Sequence, residues 1–226
     1  MTEIKRLDWD SDFFGIEVGE LFTNSTNFVV NSDFDLIYVK SDIKTDVEIT
    51  SFEKSFTENK VVYQKDLVLV NDSNSAIKEI SEIEYSIEEL YELAFESGKH
   101  SRFKLDYKIE KHKFFELYEL WVVNSLNKKF ADEVLIYKED SKIIGFVSYK
   151  ITDTFATIGL IAVNLNHQGK GIGKGLIHQV ENKLIQKNIF ELRIPTQESN
   201  VQACFFYEKL GYEKFQITII NHFWKR

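Results

Sequence analysis

The feature that most constrains this chain is the run Asn166-His167-Gln168-Gly169-Lys170-Gly171-Ile172-Gly173-Lys174-Gly175, which holds four of the ten glycines at alternate positions. An apolar run, Thr157 to Val163, precedes it. Ile172, Leu176, Val180 and Leu184 follow at intervals of four. The pattern reads as strand, glycine turn, helix. Glycines at such a junction let the backbone approach a ligand closely, since they carry no Cβ. The first amides of the helix then point outward without partners, at the positive end of the helix dipole. That arrangement binds anions, and phosphate is the natural one. Two phosphate motifs fail on counting. The dinucleotide fingerprint would need glycine at Lys174 or Leu176, and the ATP-type loop would need Ser or Thr after Lys174.

A second constellation follows the helix. Phe190-Glu-Leu-Arg-Ile194 reads as a strand ending at Pro195, the only proline, which cannot donate to a ladder. Asn200, Ala203, Tyr207, Gly211 and Tyr212 then stand in the spacing Asn-x-x-Ala-x-x-x-Tyr-x-x-x-Gly-aromatic. With Gln168-x-x-Gly171-x-Gly173, this pair of motifs resembles the GCN5-related N-acetyltransferases. Leu7-x-Trp9-Asp10-Ser11-x-Phe13-Phe14-Gly15, Ala94-x-x-Ser97-Gly98-x-x-Ser101-Arg102-Phe103-x-x-Asp106 and Thr196-Gln197 are similar to the TDP-fucosamine acetyltransferase group. The resemblance touches most of the chain and is thinnest between about residues 20 and 85.

Composition limits the alternatives. With 43% hydrophobic residues the chain can build a core, and no apolar stretch is long enough to span a bilayer. A net charge of -8 opposes nucleic acid. A lone Cys204 fits a reducing compartment. The polar start shows no signal peptide, so a cytoplasmic location without membrane association is expected. No His/Cys spacing suggests a metal site, and Cys204 reads as a small helix residue.

The chain divides into a small N-terminal α/β unit, residues 1–75, and a main domain, residues 76–226. In the first, Val18–Phe22, Leu36–Val39 and Val61–Val70 read as strands, Thr45–Phe56 as a helix, and Asn71–Ser75 as the linker. In the second, the capping box Ser86-x-x-Glu89 starts a helix that ends near Gly98. Lys111–Leu126 is a second helix, burying Phe114, Leu117, Tyr118, Trp121 and Val122. Val134–Glu139, Ile143–Lys150 and Thr154–Val163 form an antiparallel meander, and Phe215–Phe223 a last strand. The resemblance implies the acetyltransferase fold, an α/β (α+β) class with a mixed, mostly antiparallel central sheet flanked by helices.

The resemblance further implies an acyl-CoA-dependent N-acyltransferase, with acetyl-CoA or a larger acyl-CoA as co-substrate and no metal. Its acceptor would be the amine of a dTDP-linked 3- or 4-amino-dideoxy sugar used in surface polysaccharide. It implies that the backbone of Gln168, Gly169, Lys170, Gly171, Ile172, Gly173 and Lys174 holds the pyrophosphate. Lys170 and Lys174 are either added charge there or a solvated helix start. Pantetheine would run beside Leu160–Val163, contacting Ile161 and Val163, with the Leu160 or Ile161 N–H as oxyanion donor. Tyr207 would protonate the leaving sulfur, a phenol with pKa near ~10 facing a thiolate near ~8.5. Asn200 would bond pantetheine or cap the following helix. Arg102, Ser101, Lys99, Trp9, Phe13 and Phe14 are candidate acceptor contacts, the three aromatics being core residues on the other reading. His100, Asp106 and Glu191 are possible bases, and none is chosen. A homodimer is the assembly the family suggests. Alternatives are another acceptor (protein N-terminus, polyamine or aminoglycoside) or a non-catalytic CoA-binding domain.

Overall fold

The computed structural model describes residues 4–25, 30, 33–44, 46–69 and 76–226. The expected linker at 71–75 lies outside them. The elements run β1 (Lys5–Arg6), α1 (Asp8–Phe14), β2 (Val18–Phe22), β3 (Leu36–Ser41), β4 (Phe52–Asp66), β5 (Ile77–Glu79), α2 (Ile87–Ser97), α3 (Arg102–Leu105), α4 (Lys111–Leu126), β6 (Glu133–Glu139), β7 (Lys142–Ile151), β8 (Ala156–Val163), α5 (Ile172–Gln186), β9 (Glu191–Gln197), α6 (Val201–Lys209) and β10 (Glu213–Lys225). Short 3₁₀ turns occupy Ile80–Glu82 and Leu165–His167.

Among the described residues, ten strands form one sheet in the order β1-β2-β3-β10-β4-β9-β8-β7-β6-β5. Only β2–β3 and β8–β9 pair in parallel, so the sheet is mixed and mostly antiparallel, as expected. Strands from residues 1–75 and from 76–226 share it: β4 lies between β10 and β9, with twelve aligned pairs to β10 and seven to β9. Of the helix expected over Thr45–Phe56, the described residues 46–56 form none. Phe52 instead opens the 15-residue β4, because an edge offered by both β9 and β10 supplies ladder partners that override local preference.

Helices cover both faces. Leu176, Val180 and Leu184 of α5 are fully buried with Tyr63, Leu192 and Ile194 on one face. Leu90 and Leu93 of α2 and Phe114 and Leu117 of α4 pack with Ile136, Phe146 and Leu160 on the other. The four-residue period of α5 thus marks its buried stripe. Ser86 is the N-cap of α2, but its hydroxyl bonds Glu88 and gives no cap hydrogen bond to the helix backbone. The predicted reciprocal cap is therefore absent while the helix start is right. Asp140 and Ser141 both have positive φ, the geometry of the tight two-residue hairpin joining β6 to β7.

One departure from ladder regularity positions everything that follows. β8 and β9 pair only at Ala156–Leu192 and Thr157–Arg193 and then part. Two residues account for the divergence. A register shift in the β7–β8 ladder leaves Gly159 as an extra residue in β8, and a bulge of this kind bends its strand. In β9, the Glu198 N–H donates to Asn59 and Leu67 donates to Phe190 O. Alternation along the ladder then turns residues 191, 193, 195 and 197 toward β8. Pro195 therefore lacks its N–H on the side where β8 would have accepted it. The strand does not end at Pro195, as its composition suggests; it continues to Gln197, since proline is tolerated where no ladder bond is made.

Candidate active site

The gap between β8 and β9 opens into a cavity of about 920 Å³. Alternation along β4 assigns its two ends. Tyr63 and Lys65 face α5 and α6: the Tyr63 hydroxyl donates to Glu208 and the Lys65 ammonium to Glu181. Glu58 faces the opposite side, where its Oε1 accepts the Arg102 N–H of α3 at 3.1 Å. Both Tyr207 of α6 and Glu58 line the cavity, so it passes through the gap and joins the two faces of the sheet.

At the first end stands the head of α5. Gly171 is its N-cap, at φ 84° and with no side-chain cap, and Gly169 is at φ 78°. A Cβ at either glycine would meet nothing within 4 Å, so the glycines are required by left-handed backbone and not by crowding. The first-turn amides of Ile172 and Gly173 lie where an α-helix offers no internal acceptor. Gln168 ties the loop to the sheet: its Nε2 donates to Val163 O at 3.1 Å, and its Oε1 accepts from Gln202 of α6. Gln168, Gly169, Gly171, Ile172, Gly173 and Lys174 line the cavity, whereas Lys170 does not.

The two expected oxyanion donors separate. The Leu160 N–H faces β7 and donates to Ser148 Oγ at 2.9 Å, a consequence of the bulge at Gly159. Asn164 donates to Ile144 O, and alternation from that pair turns the N–H groups of Ile161 and Val163 toward the gap. Ile161 is therefore the donor that remains. Tyr207 is 4% exposed, enclosed by Tyr63, Phe206 and Tyr212 with ring centroids 5.3–6.3 Å away. Burial pushes its phenol well above the usual range, so it carries its proton at neutral pH. Its hydroxyl makes no hydrogen bond among the described residues. The Asn200 side-chain oxygen caps α6 by accepting from Ala203 N at 3.2 Å, the second of its two expected roles, while the residue still lines the cavity.

The other end is polar. Trp9, Lys40, Glu58, Lys60 and Arg102 line it. The Arg102 guanidinium lies over the Tyr38 ring at 4.3 Å and the Phe103 ring at 4.6 Å, and its Nη1 is 3.5 Å from His222 Nε2. Behind it, buried Asp106 accepts from His222 Nδ1 (2.6 Å), Ser55 Oγ (2.9 Å), Trp224 Nε1 (3.0 Å) and Lys108 N (3.1 Å). Burial opposes ionisation of Asp106, but the His222 and Trp224 hydrogen bonds outweigh it and hold its pKa low. His222, fully buried, is pulled down to about 4, first by burial and then by Arg102, against the Asp106 hydrogen bond. It is therefore neutral, its Nδ1–H donating to Asp106 and its Nε2 left to accept from Arg102.

Among the remaining expected contacts, Lys99 lines the cavity but is paired with Glu96 at 2.6 Å. Ser101 lines it as the N-cap of α3, accepting from Phe103 N. Phe13 and Phe14 do not line it. Phe13 stacks between Trp9 and the Lys113 ammonium, and Phe14 packs in the N-terminal core, the core role given as their alternative. None of His100, Asp106 and Glu191 lines the cavity. Asp106 is saturated by its four donors, and Glu191 pairs with Arg193 at 2.5 Å. The residues that sequence reasoning missed are Asp10, Lys40, Glu58 and Lys60. The signal for the last two was faint: charges two apart in Thr57-Glu-Asn-Lys60, a stretch to which the sequence assigned no element.

The described residues contain no group of three or more His, Cys, Asp or Glu able to hold a metal ion, and no described helix is long and apolar enough to cross a membrane. The chain is 28% identical over 138 residues to the spore coat polysaccharide biosynthesis protein SpsD of Bacillus subtilis (strain 168), covering 61% of this chain and 47% of that one. It is 31% identical over 84 residues to a streptothricin acetyltransferase of Escherichia coli, covering 37% and 48%. The chain thus spans about half the length of these curated relatives. A crystal structure described as an acetyltransferase of the GNAT family from Novosphingobium aromaticivorans superposes with a TM-score of 0.58 at 12% identity, covering 87% of this chain and 77% of that one, a likeness of fold alone. The description "Acetyltransferase (GNAT) family" matches residues 85–212, more than half of the chain, from just before α2 to the end of the Tyr207 motif. With the glycine loop at the head of α5 and the parting of β8 from β9 both inside that span, the chain belongs to the acetyltransferase (GNAT) family.

Proposed function

We propose that the protein is an acyl-CoA-dependent N-acyltransferase that acylates the amine of a dTDP-linked 3- or 4-amino-dideoxy sugar for surface polysaccharide. The observation that carries this reading is the cavity through the sheet, with an anion-binding helix head at one end and Arg102 and Lys60 at the other. The residues fit a CoA thioester. Open glycine positions and the Ile172 and Gly173 amides suit a pyrophosphate, and the unpaired edge of β8 suits an extended pantetheine arm added like a strand. Ile161 N–H then stabilises the negative charge that develops on the thioester oxygen, and Tyr207 gives its proton to the departing sulfur. Attack is direct, with an amine entering from the α3 face and the carbonyl held in the gap.

The acceptor class rests on two supports. Arg102 forms no ion pair with a carboxylate among the described residues, and its planar fork suits a diphosphate. SpsD, by its name, acts in polysaccharide biosynthesis. A second reading keeps the chemistry and changes the acceptor to an antibiotic or polyamine amine, and the streptothricin acetyltransferase likeness favours it. Thermal melting with dTDP, in the presence and absence of CoA, separates the two. A rise in Tm with dTDP supports the nucleotide sugar, and no shift favours the second reading. Thiol release from acetyl-CoA with a panel of dTDP-amino sugars then decides activity. No release with any member sinks the first reading.

A further inference from the structure

We propose that Glu58 is the general base of the reaction, taking the proton from the acceptor ammonium before attack. The inference rests on the N-acyltransferase reading above, but not on the identity of the acceptor.

Three carboxylates line the cavity: Asp10, Glu58 and Glu96. Glu96 is neutralised by Lys99 at 2.6 Å. Asp10, in the first turn of α1 beside Trp9, also feels burial and the Arg102 charge but is less enclosed than Glu58, so it is kept as the control in the test below. Glu58 comes from the middle of β4, a central strand, and is 8% exposed. Among the described residues the only lining imidazole is His167, in the loop after β8, where its Nδ1 is 3.3 Å from Asn164 Oδ1 and its Nε2 3.6 Å from Glu139. That is the phosphate end.

The carboxylate of Glu58 is also held as a base should be. Its Oε1 accepts the backbone N–H of Arg102, which fixes the side chain. Its Oε2 has no hydrogen-bond partner among the described residues and is not sealed from the cavity. Three groups act on it or feel it: Arg102 of α3, Lys60 of its own strand and Tyr118 of α4. Burial raises its pKa, and the Arg102 charge and N–H oppose the rise. The direction moves a carboxylate toward the range where it can exchange a proton with an amine near neutrality.

The proton and bond balance closes. Glu58 takes one proton from the acceptor ammonium. The neutral nitrogen attacks the thioester carbon, forming C–N. As C–S breaks, the Tyr207 proton goes to sulfur. The surplus proton on the acylated nitrogen restores Tyr207, and Glu58 passes its proton to solvent. The net products are amide, thiol and one proton.

The test compares wild type with Glu58→Gln, Glu58→Asp and Asp10→Asn. Each is assayed by thiol release from acetyl-CoA, using the amine that wild type acylates fastest among dTDP-amino sugars, spermidine and aminoglycosides. CoA affinity is measured by calorimetry on the same preparations, which also shows that each variant is folded. Expected for Glu58→Gln is a loss of ~10²–10⁴-fold in kcat, an unchanged CoA affinity, and loss of the acid limb of the kcat/KM profile. Its residual rate then rises only through the amine's own pKa, above the wild-type limb, as free amine accumulates, and Glu58→Asp recovers part of the loss. The inference is overturned if Glu58→Gln stays within about threefold of wild type, keeps the acid limb, or if Asp10→Asn is the variant that removes it. Should wild type refuse every dTDP sugar and accept another amine, the substrate reading fails, and Glu58 is judged on that amine.

Discussion

Replacing Tyr207 with Phe isolates one proton. The ring is packed by Tyr63, Phe206 and Tyr212, and phenylalanine keeps all of those contacts. The hydroxyl makes no hydrogen bond among the described residues, so its removal orphans no buried partner. Stability is then expected to change by less than about 0.5 kcal/mol, the scale of substitutions that break no named interaction. Catalysis should change far more. Without a proton the sulfur must leave as a thiolate into a buried, poorly solvated place, and loss of a positioned acid typically costs ~10²–10⁴-fold, or ~3–5.5 kcal/mol of barrier. The proposed CoA contacts on α5 and β8 are untouched. The assay pairs kcat from thiol release with calorimetric CoA affinity and a urea melt. A kcat within about threefold of wild type would remove the proton-donor role. A fall in stability parallel to the fall in kcat would mean that the hydroxyl serves packing instead.

Three further outcomes follow from the same geometry. Lys65→Met strips the cation from Glu181, which is fully buried and, among the described residues, is left with the Tyr212 hydroxyl at 2.7 Å. Breaking such a pair costs ~3–5 kcal/mol, or about 10 °C in Tm at this size, and Glu181→Gln in the same chain should restore most of it; a loss under 1 kcal/mol in a urea melt refutes the buried pair. Neutral His222, at about 4 in the fold against ~6.5 unfolded, binds fewer protons than the unfolded chain between those values. Stability should therefore fall as pH drops from ~6.5 to ~4, by about 3 kcal/mol, and His222→Gln should flatten that slope in pH-dependent urea melts. Gly171→Ala makes φ 84° cost ~1–2 kcal/mol; with no atom in its way the free loop is expected to relax, so CoA binding, which must restore that geometry, weakens about tenfold in calorimetry, whereas unchanged binding with an equal loss in a urea melt shows that the free fold already carries the strain.

The proposed donor half of the candidate site was legible because its motifs are local. A glycine loop, an amphipathic period and a tyrosine seven residues after Asn200 are all properties of one contiguous stretch, and the structure gathers Gln168, Gly171, Ile172, Gly173, Asn200 and Tyr207 around one cavity. Pro195 misled at short range and informed at long range. It reads as a strand end, yet its missing N–H matters only because of where β8 lies. Leu160 and Ile161 look equivalent as donors until the extra residue at Gly159 decides that one bonds Ser148 and the other faces the gap. The acceptor half was less legible. Arg102, Ser101 and Lys99 were found through a motif, whereas Glu58 and Lys60 acquire meaning only when β4 pairs with strands some 130 to 160 residues away.

That pairing explains why one strand matters to both substrates. β4 touches the α5–α6 side through Tyr63 and Lys65 and the α3 side through Glu58. Tyr63 packs on Tyr207, Lys65 anchors the helix whose head forms the anion site, and Glu58 closes the acceptor end. Alternation makes this possible, since residues two apart share a face and neighbours do not. A single-residue slip of β4 against β10 would exchange the two faces, turning the Glu58 carboxylate away from α3, and Tyr63 and Lys65 away from α5 and α6. The bulges in the β4–β10 ladder, at Lys214–Gln216 and His222–Phe223, therefore lie on either side of the stretch where register is critical. His222, at the second of them, is also the residue that bonds both Asp106 and Arg102. The ladder resumes beyond it at Phe223–Lys54, so the irregularity lies at the residue whose ring stands between Asp106 and the arginine lining the cavity.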